Sequence, residues 1–217
     1  MKRIGLLLTL LASLGVASTA CRDRNSVARS DQGAVGTAGD RGVSMSDKNF
    51  VKDFAIVNMA EVELGRLAAD HAASADVKKF GQMMVDDHTM AGDKLKAIAT
   101  EHNIDWPAGV DDKHRDLRDK LSKLQGADFD REYMDAMVDG HQDAIGRLDS
   151  RVDHPRPAGT TSTPADRTAV TPEKSDDLVT MALNRWAADA YPTVQQHLDR
   201  AKMLKDEVKG EAKGAKK

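Results

Sequence analysis

The stretch FGQMMVDDH, Phe80–His88, decides the fold, because it returns as YMDAMVDGH, Tyr133–His141. In each copy an aromatic residue stands eight positions before a histidine. Met-Val-Asp fills the same three slots, Met84-Val85-Asp86 and Met137-Val138-Asp139, and Leu95 and Leu148 follow the histidines by seven. Steps of three, four and seven line up on one face of a helix. The echo is too short for a solenoid, whose period runs through the whole chain. It reads as two helices of one bundle, each carrying a histidine on its inward stripe.

The flanking segments have the same period. Upstream, Phe50, Phe54, Val57, Glu61, Leu64, Ala68 and His71 form one stripe, with Asp47 as the expected N-cap. The second helix takes Ser74 or Asp76 as its cap and follows Val77, Phe80, Met84, His88, Ala91, Leu95 and Ile98. It ends at Asn103 and the Trp106-Pro107-Ala108-Gly109 turn. Residues 104–126 then make a connection too long for a hairpin, with a short helix from about Asp111 to Leu124. That length suits a crossover along a bundle. The third long helix starts near Asp128 and ends at His154-Pro155. Residues 153–175, rich in Pro, Thr, Ser and Ala, read as a mobile surface loop. The last helix, capped by Ser175 or Asp176, carries Leu183, Trp186, Ala190, Val194, His197, Ala201, Leu204 and Val208, with a kink expected at Pro192. Residues 209–217 read as a frayed basic tail. No segment alternates as a strand does. The fold class is therefore all-α: four main helices, residues 49–208, packed as a bundle with one long crossover.

The chain begins with Lys2 and Arg3, an apolar run Ile4–Val16, and small residues leading to Cys21. This is the layout of a secretory signal over residues 1–20, too short to span a bilayer comfortably. Cys21, the only cysteine, sits as a lipobox cysteine would, and the expectation is that it is lipidated and anchors the protein to a membrane. An ordinary signal cut near Ala20 is the alternative. Residues 21–48 hold few large apolar side chains and read as a flexible tether. The implied location is the cell envelope: an outer-membrane lipoprotein facing the periplasm if the source is Gram-negative, with a secreted soluble protein as the alternative. Without Lys2 and Arg3, 30 basic side chains remain against 35 acidic, a formal charge of −5. Such a surface does not attract nucleic acid.

Each long helix places one unusual residue on its apolar stripe: Glu61, His88, His141 and His197. If the stripes share an axis, one carboxylate and three imidazoles converge, a donor set suited to a zinc, iron, copper or manganese ion. Asp86, Asp87 and Asp139 are candidates for holding the rings by their other N–H. The competing reading is a buried His–Glu network that only fixes helix register. His71 is a spare donor further along. His102, His114 and His154 belong to the surface, and Met83, Met84, Met134, Met137, Met181 and Met203 are spaced as core filling. No Ser–His–Asp order, phosphate loop or cysteine pair points to a familiar enzyme.

Four motifs, FAIVNMAEVELGRLA from Phe54, VKKFGQMMVDDH, FDREYMDAMVDGHQDAI and YPTVQQHLDRA, together resemble the bacterial exported family called domain of unknown function 4142. The resemblance covers roughly residues 49–206, with residues 153–175 as an enlargement. It implies a ferritin-like four-helix fold in an envelope protein, no established activity, and Glu61, His88, His141 and His197 at the matching family positions. Di-iron proteins of that fold carry Glu-x-x-His pairs. Val85, Val138 and Val194 stand where those glutamates would be, so a mononuclear site fits better than a di-iron one. The function expected first is a non-enzymatic envelope bundle with a structural, stress or interaction role, its protein partner unspecified. The second is a metal-binding or metal-dependent redox protein using the four inward donors.

Overall fold

A computed structural model describes residues 42–154 and 169–214, with side chains to Gly210. The signal segment, Cys21, most of the tether and residues 155–168 lie outside the described residues. Among the described residues five helices follow in order: α1 Met45–His71, α2 Ala75–Glu101, α3 Asp112–Leu121, α4 Gly126–Leu148 and α5 Leu178–Gly214. Four are long and pack as a ring α1–α2–α5–α4, with α3 laid against α1 and α4. The short turn after His71 makes α1 and α2 antiparallel. The crossover brings the chain back to that same end, where Ala72 bridges to Gly126. The result is the up-down-down-up, ferritin-like arrangement. None of the described helices is long and apolar enough to cross a membrane.

Specific polar contacts fix the two ends. At one, Asp130 of α4 accepts the backbone N–H groups of Ala73 and Ser74 at 3.1 and 2.9 Å, and Ser74 caps α2. At the other, Asp47 is not the cap of α1. Ser44 is, and Asp47 lies buried in the first turn. It accepts from Arg151 at 2.5 Å, from Ser44 Oγ at 2.7 Å and from Thr180 Oγ1 at 2.9 Å. Burial pushes the Asp47 carboxyl up, but these donors outweigh it and hold the group below its ordinary range.

Several boundaries differ from the sequence reading. Helix α4 stops at Leu148. A 3-10 turn, Asp149–Arg151, follows, and a two-residue ladder pairs Val152–Asp153 with Thr171–Pro172. Helix α5 starts later than expected because Asp177, not Ser175 or Asp176, accepts from Thr180 N at 2.9 Å. It runs through Pro192 and on to Gly214, so the segment read as a frayed tail is helical up to that point. Met203 is exposed, whereas Met84, Met134 and Met137 fill the core as expected.

The apolar core falls into two clusters. One gathers Leu64, Phe80, Phe129, Tyr133 and Leu204 near the α1–α2 turn. The other gathers Phe50, Phe54, Leu95, Leu148 and Trp186 near the opposite end. Within the first cluster, flanked by Leu64, Ala68, Phe80 and Met84, α1 and α2 approach closely through Gly65 and Gly81. A Cβ on Gly65 would stand 2.5 Å from the Gly81 carbonyl oxygen, and one on Gly81 2.6 Å from Ala68 Cβ. Gly65→Ala therefore pushes the helices apart. We expect a loss of about 1–3 kcal/mol, despite the roughly 1 kcal/mol that alanine ordinarily adds inside a helix, read from the urea midpoint.

Candidate metal centre

The glycine crossing sets which residues of α1 and α2 share a height. Asn58 stands seven residues before Gly65, and His88 seven after Gly81. In antiparallel helices rising about 1.5 Å per residue, both lie about 10 Å beyond the crossing on the same side. They meet there: His88 Nδ1 donates to Asn58 Oδ1 at 2.9 Å. Helices α4 and α5 bring His141 and His197 to that level. The three ring centroids form a near-equilateral triangle with sides of 5.7, 5.5 and 5.4 Å. One nitrogen of each ring lies within 4.8 Å of one nitrogen of each of the others, and all three residues are buried. The triangle occupies the waist between the two apolar clusters.

Each imidazole is held from outside by one acceptor. Asn58 holds His88, the Met137 carbonyl accepts from His141 Nδ1 at 2.8 Å, and Asp87 Oδ2 accepts from His197 Nε2 at 2.8 Å. A nitrogen that donates carries the proton, so the opposite nitrogen keeps a lone pair. Those opposite atoms are His88 Nε2, His141 Nε2 and His197 Nδ1. All three are buried and have no protein partner. An outer acceptor fixing the tautomer while the inner nitrogen stays free is the arrangement found around metal-binding histidines.

Glu61 is buried beside this group but outside the 4.8 Å set. A Cβ on Gly140, next to His141, would lie in ordinary contact with its Oε1, at 3.5 Å, so the Glu61 carboxyl reaches α4 beside His141. Its Oε2 has no partner, and neither do Asn58 Nδ2 and the Tyr133 hydroxyl. Burial raises the Glu61 pKa to about 8. Burial, with Glu61 nearby, raises that of Tyr133 well above its usual value. The imidazoles move the other way. Burial and the neighbouring His141 and His197 push His88 well down, and burial with His197 brings His141 to about 4 despite the Met137 carbonyl. Burial lowers His197 more than the Asp87 bond restores. At neutral pH the waist therefore holds neutral imidazoles and a mostly protonated carboxyl.

Of the three aspartates expected to orient the rings, only Asp87 does so. Asp86 is exposed and bonded to Gln82, and Asp139 is exposed. Asn58 and the Met137 carbonyl take the other two positions. Asn58 could have been found, since it lies three residues before Glu61 on the same face; a backbone carbonyl leaves no mark in a sequence. His71 is remote from the triangle and donates to the Leu124 carbonyl at 2.7 Å, tying down the crossover. His114 and His154 pair with Asp111 and Asp149 near the surface.

A family model described as Domain of unknown function (DUF4142) matches residues 32–156, more than half of the chain. The chain belongs to this family. The match takes in Glu61, His88 and His141 and ends before the segment leading to α5, so His197 lies outside the matched residues. No curated protein and no solved structure matches the chain.

Proposed function

We propose that this domain binds a single divalent transition-metal ion at His88, His141 and His197, with Glu61 supplying a carboxylate. One observation carries the reading. Among the described residues, six buried side-chain atoms lack a partner, and they belong to Asn58, Glu61, Tyr133 and the three histidines. Buried polar groups are normally paired, and leaving one unpaired costs about 1–3 kcal/mol. A network that merely fixed helix register would satisfy its own members. Here the inner nitrogens bond neither to one another nor to Glu61. A cation accepting three lone pairs accounts for what a structural network does not.

The charges support the same reading. A divalent ion brings two positive charges, and the Asp87 carboxylate together with Glu61, once ionised, supplies two negative ones. Imidazole nitrogen and carboxylate oxygen suit zinc, iron, copper or manganese. We also read the domain as carried in the cell envelope and held to a membrane through Cys21, on the N-terminal sequence alone.

Elemental analysis of protein purified without chelator or histidine tag tests the metal reading. One equivalent of metal is expected in the wild type and none in His197→Ala. A wild type that stays metal-free after incubation with all four metals overturns the reading. Uptake at pH 7 should also release close to one proton, because Glu61 must ionise while the imidazoles are already neutral. Calorimetry in buffers of different ionisation enthalpy measures this, and Glu61→Gln should release none.

A further inference from the structure

A cavity of about 100 Å³ lies against the triangle, and the metal reading does not use it. Its inner end is formed by His88, His197 and Asn58, and its walls are largely apolar, with Val57, Ala91, Trp186 and Ala190 among them. Trp186 Nε1 donates to the Ala91 carbonyl at 3.0 Å, which braces the α2 and α5 walls. The rim carries exposed Lys94 and Asp189, and half-buried Asp87, the acceptor of His197, also lines the cavity.

We propose that this cavity admits a small neutral diatomic ligand, of the dioxygen and nitric oxide class, to an open position on the metal; the proposal rests on the metal reading above. Size sets the upper limit. An apolar cavity of about 150 Å³ takes benzene, so this one takes something smaller. Lining sets the polarity: the largely apolar walls penalise an ion, and two carboxylates, Asp87 and Asp189, against the single Lys94 disfavour an anion in particular. The inner end sets the remaining feature. Asn58 Nδ2 is a buried donor with no partner, on the residue that holds His88. A ligand bound to the metal through one atom would place its second atom as an acceptor for that amide. Three imidazoles and the Glu61 carboxylate take four places, and an iron(II) ion, which accepts more than four donors, keeps a position for such a ligand beside its histidine and carboxylate ligands.

Iron(II) loading under anaerobic conditions, followed by nitric oxide, tests this. The readouts are iron content and the electron paramagnetic resonance signal of the iron–nitrosyl adduct. Wild type should give one adduct per iron. Ala190→Phe and, as a milder plug, Ala91→Leu should keep the iron and bind nitric oxide at least tenfold more slowly or weakly. An iron-loaded wild type that gives no adduct overturns the proposal, as do plugged variants that bind like wild type. A protein that takes zinc but not iron overturns it too, while leaving the metal reading intact. A protein that takes no metal overturns both.

Discussion

His141→Ala binds a divalent transition metal about 100- to 1,000-fold more weakly than the wild type. Apparent free energies of structural metal sites run to about 10–16 kcal/mol. Shared over four ligands, that is about 2.5–4 kcal/mol for each, which corresponds to a loss of about two to three powers of ten. His141 is the clearest choice because its outer partner is the Met137 carbonyl of its own helix. Its removal strands no side chain on another helix, whereas removing His88 would free Asn58 and removing His197 would free Asp87. Isothermal titration gives the affinity, and circular dichroism checks that the variant is folded. Metal at 100 times its dissociation constant should stabilise the wild type by about 2.7 kcal/mol, and the same concentration should do far less for the variant. Equal affinity in both would move the site elsewhere.

Glu61→Gln acts in opposite directions with and without metal. In the unfolded chain the carboxyl ionises near 4.5, and in the fold near about 8. Between those values the unfolded chain has released a proton that the fold retains. The stability of the metal-free protein therefore falls as pH rises from about 4.5, and this contribution levels off above about 8. Glutamine has no proton to lose. At about 1.4 kcal/mol per pKa unit, the metal-free variant should exceed the wild type by something on the order of 4 kcal/mol at pH 8, with the gap closing toward pH 4.5. The lowered histidines have the opposite sign, costing stability as pH falls below their ordinary value of 6.5. They are present in both proteins and cancel in the difference. Denaturation in chelator from pH 4.5 to 8.5 reads it. With metal the order reverses, since the ionised carboxylate then faces a cation, and Glu61→Gln should bind the ion less tightly.

This pairing, a residue that weakens the metal-free fold and strengthens the metal-bound one, was only half legible in the sequence. Periodicity alone put Glu61, His88, His141 and His197 on inward stripes, because helical spacing maps directly onto a face. What it could not supply was height along the bundle. That depends on Gly65 meeting Gly81, a contact between residues that look like ordinary interruptions of two helices. Once the contact is fixed, Asn58 and His88 fall level and the three rings close into a triangle. Glu61, one turn nearer the crossing than Asn58, sits beside the triangle instead of within it. Helix ends were less legible for a related reason. Asp47 reads as a cap from its neighbours, but Arg151 and Thr180, distant in sequence, draw it into a buried ion pair and leave capping to Ser44.

X-ray absorption at the metal edge of the loaded protein is the most direct test of the central claim. One ion per chain with three imidazole nitrogens at about 2.0–2.1 Å is expected, with that imidazole pattern lost in His141→Ala. A shell of oxygens alone, or a spectrum unchanged in His141→Ala, would contradict it.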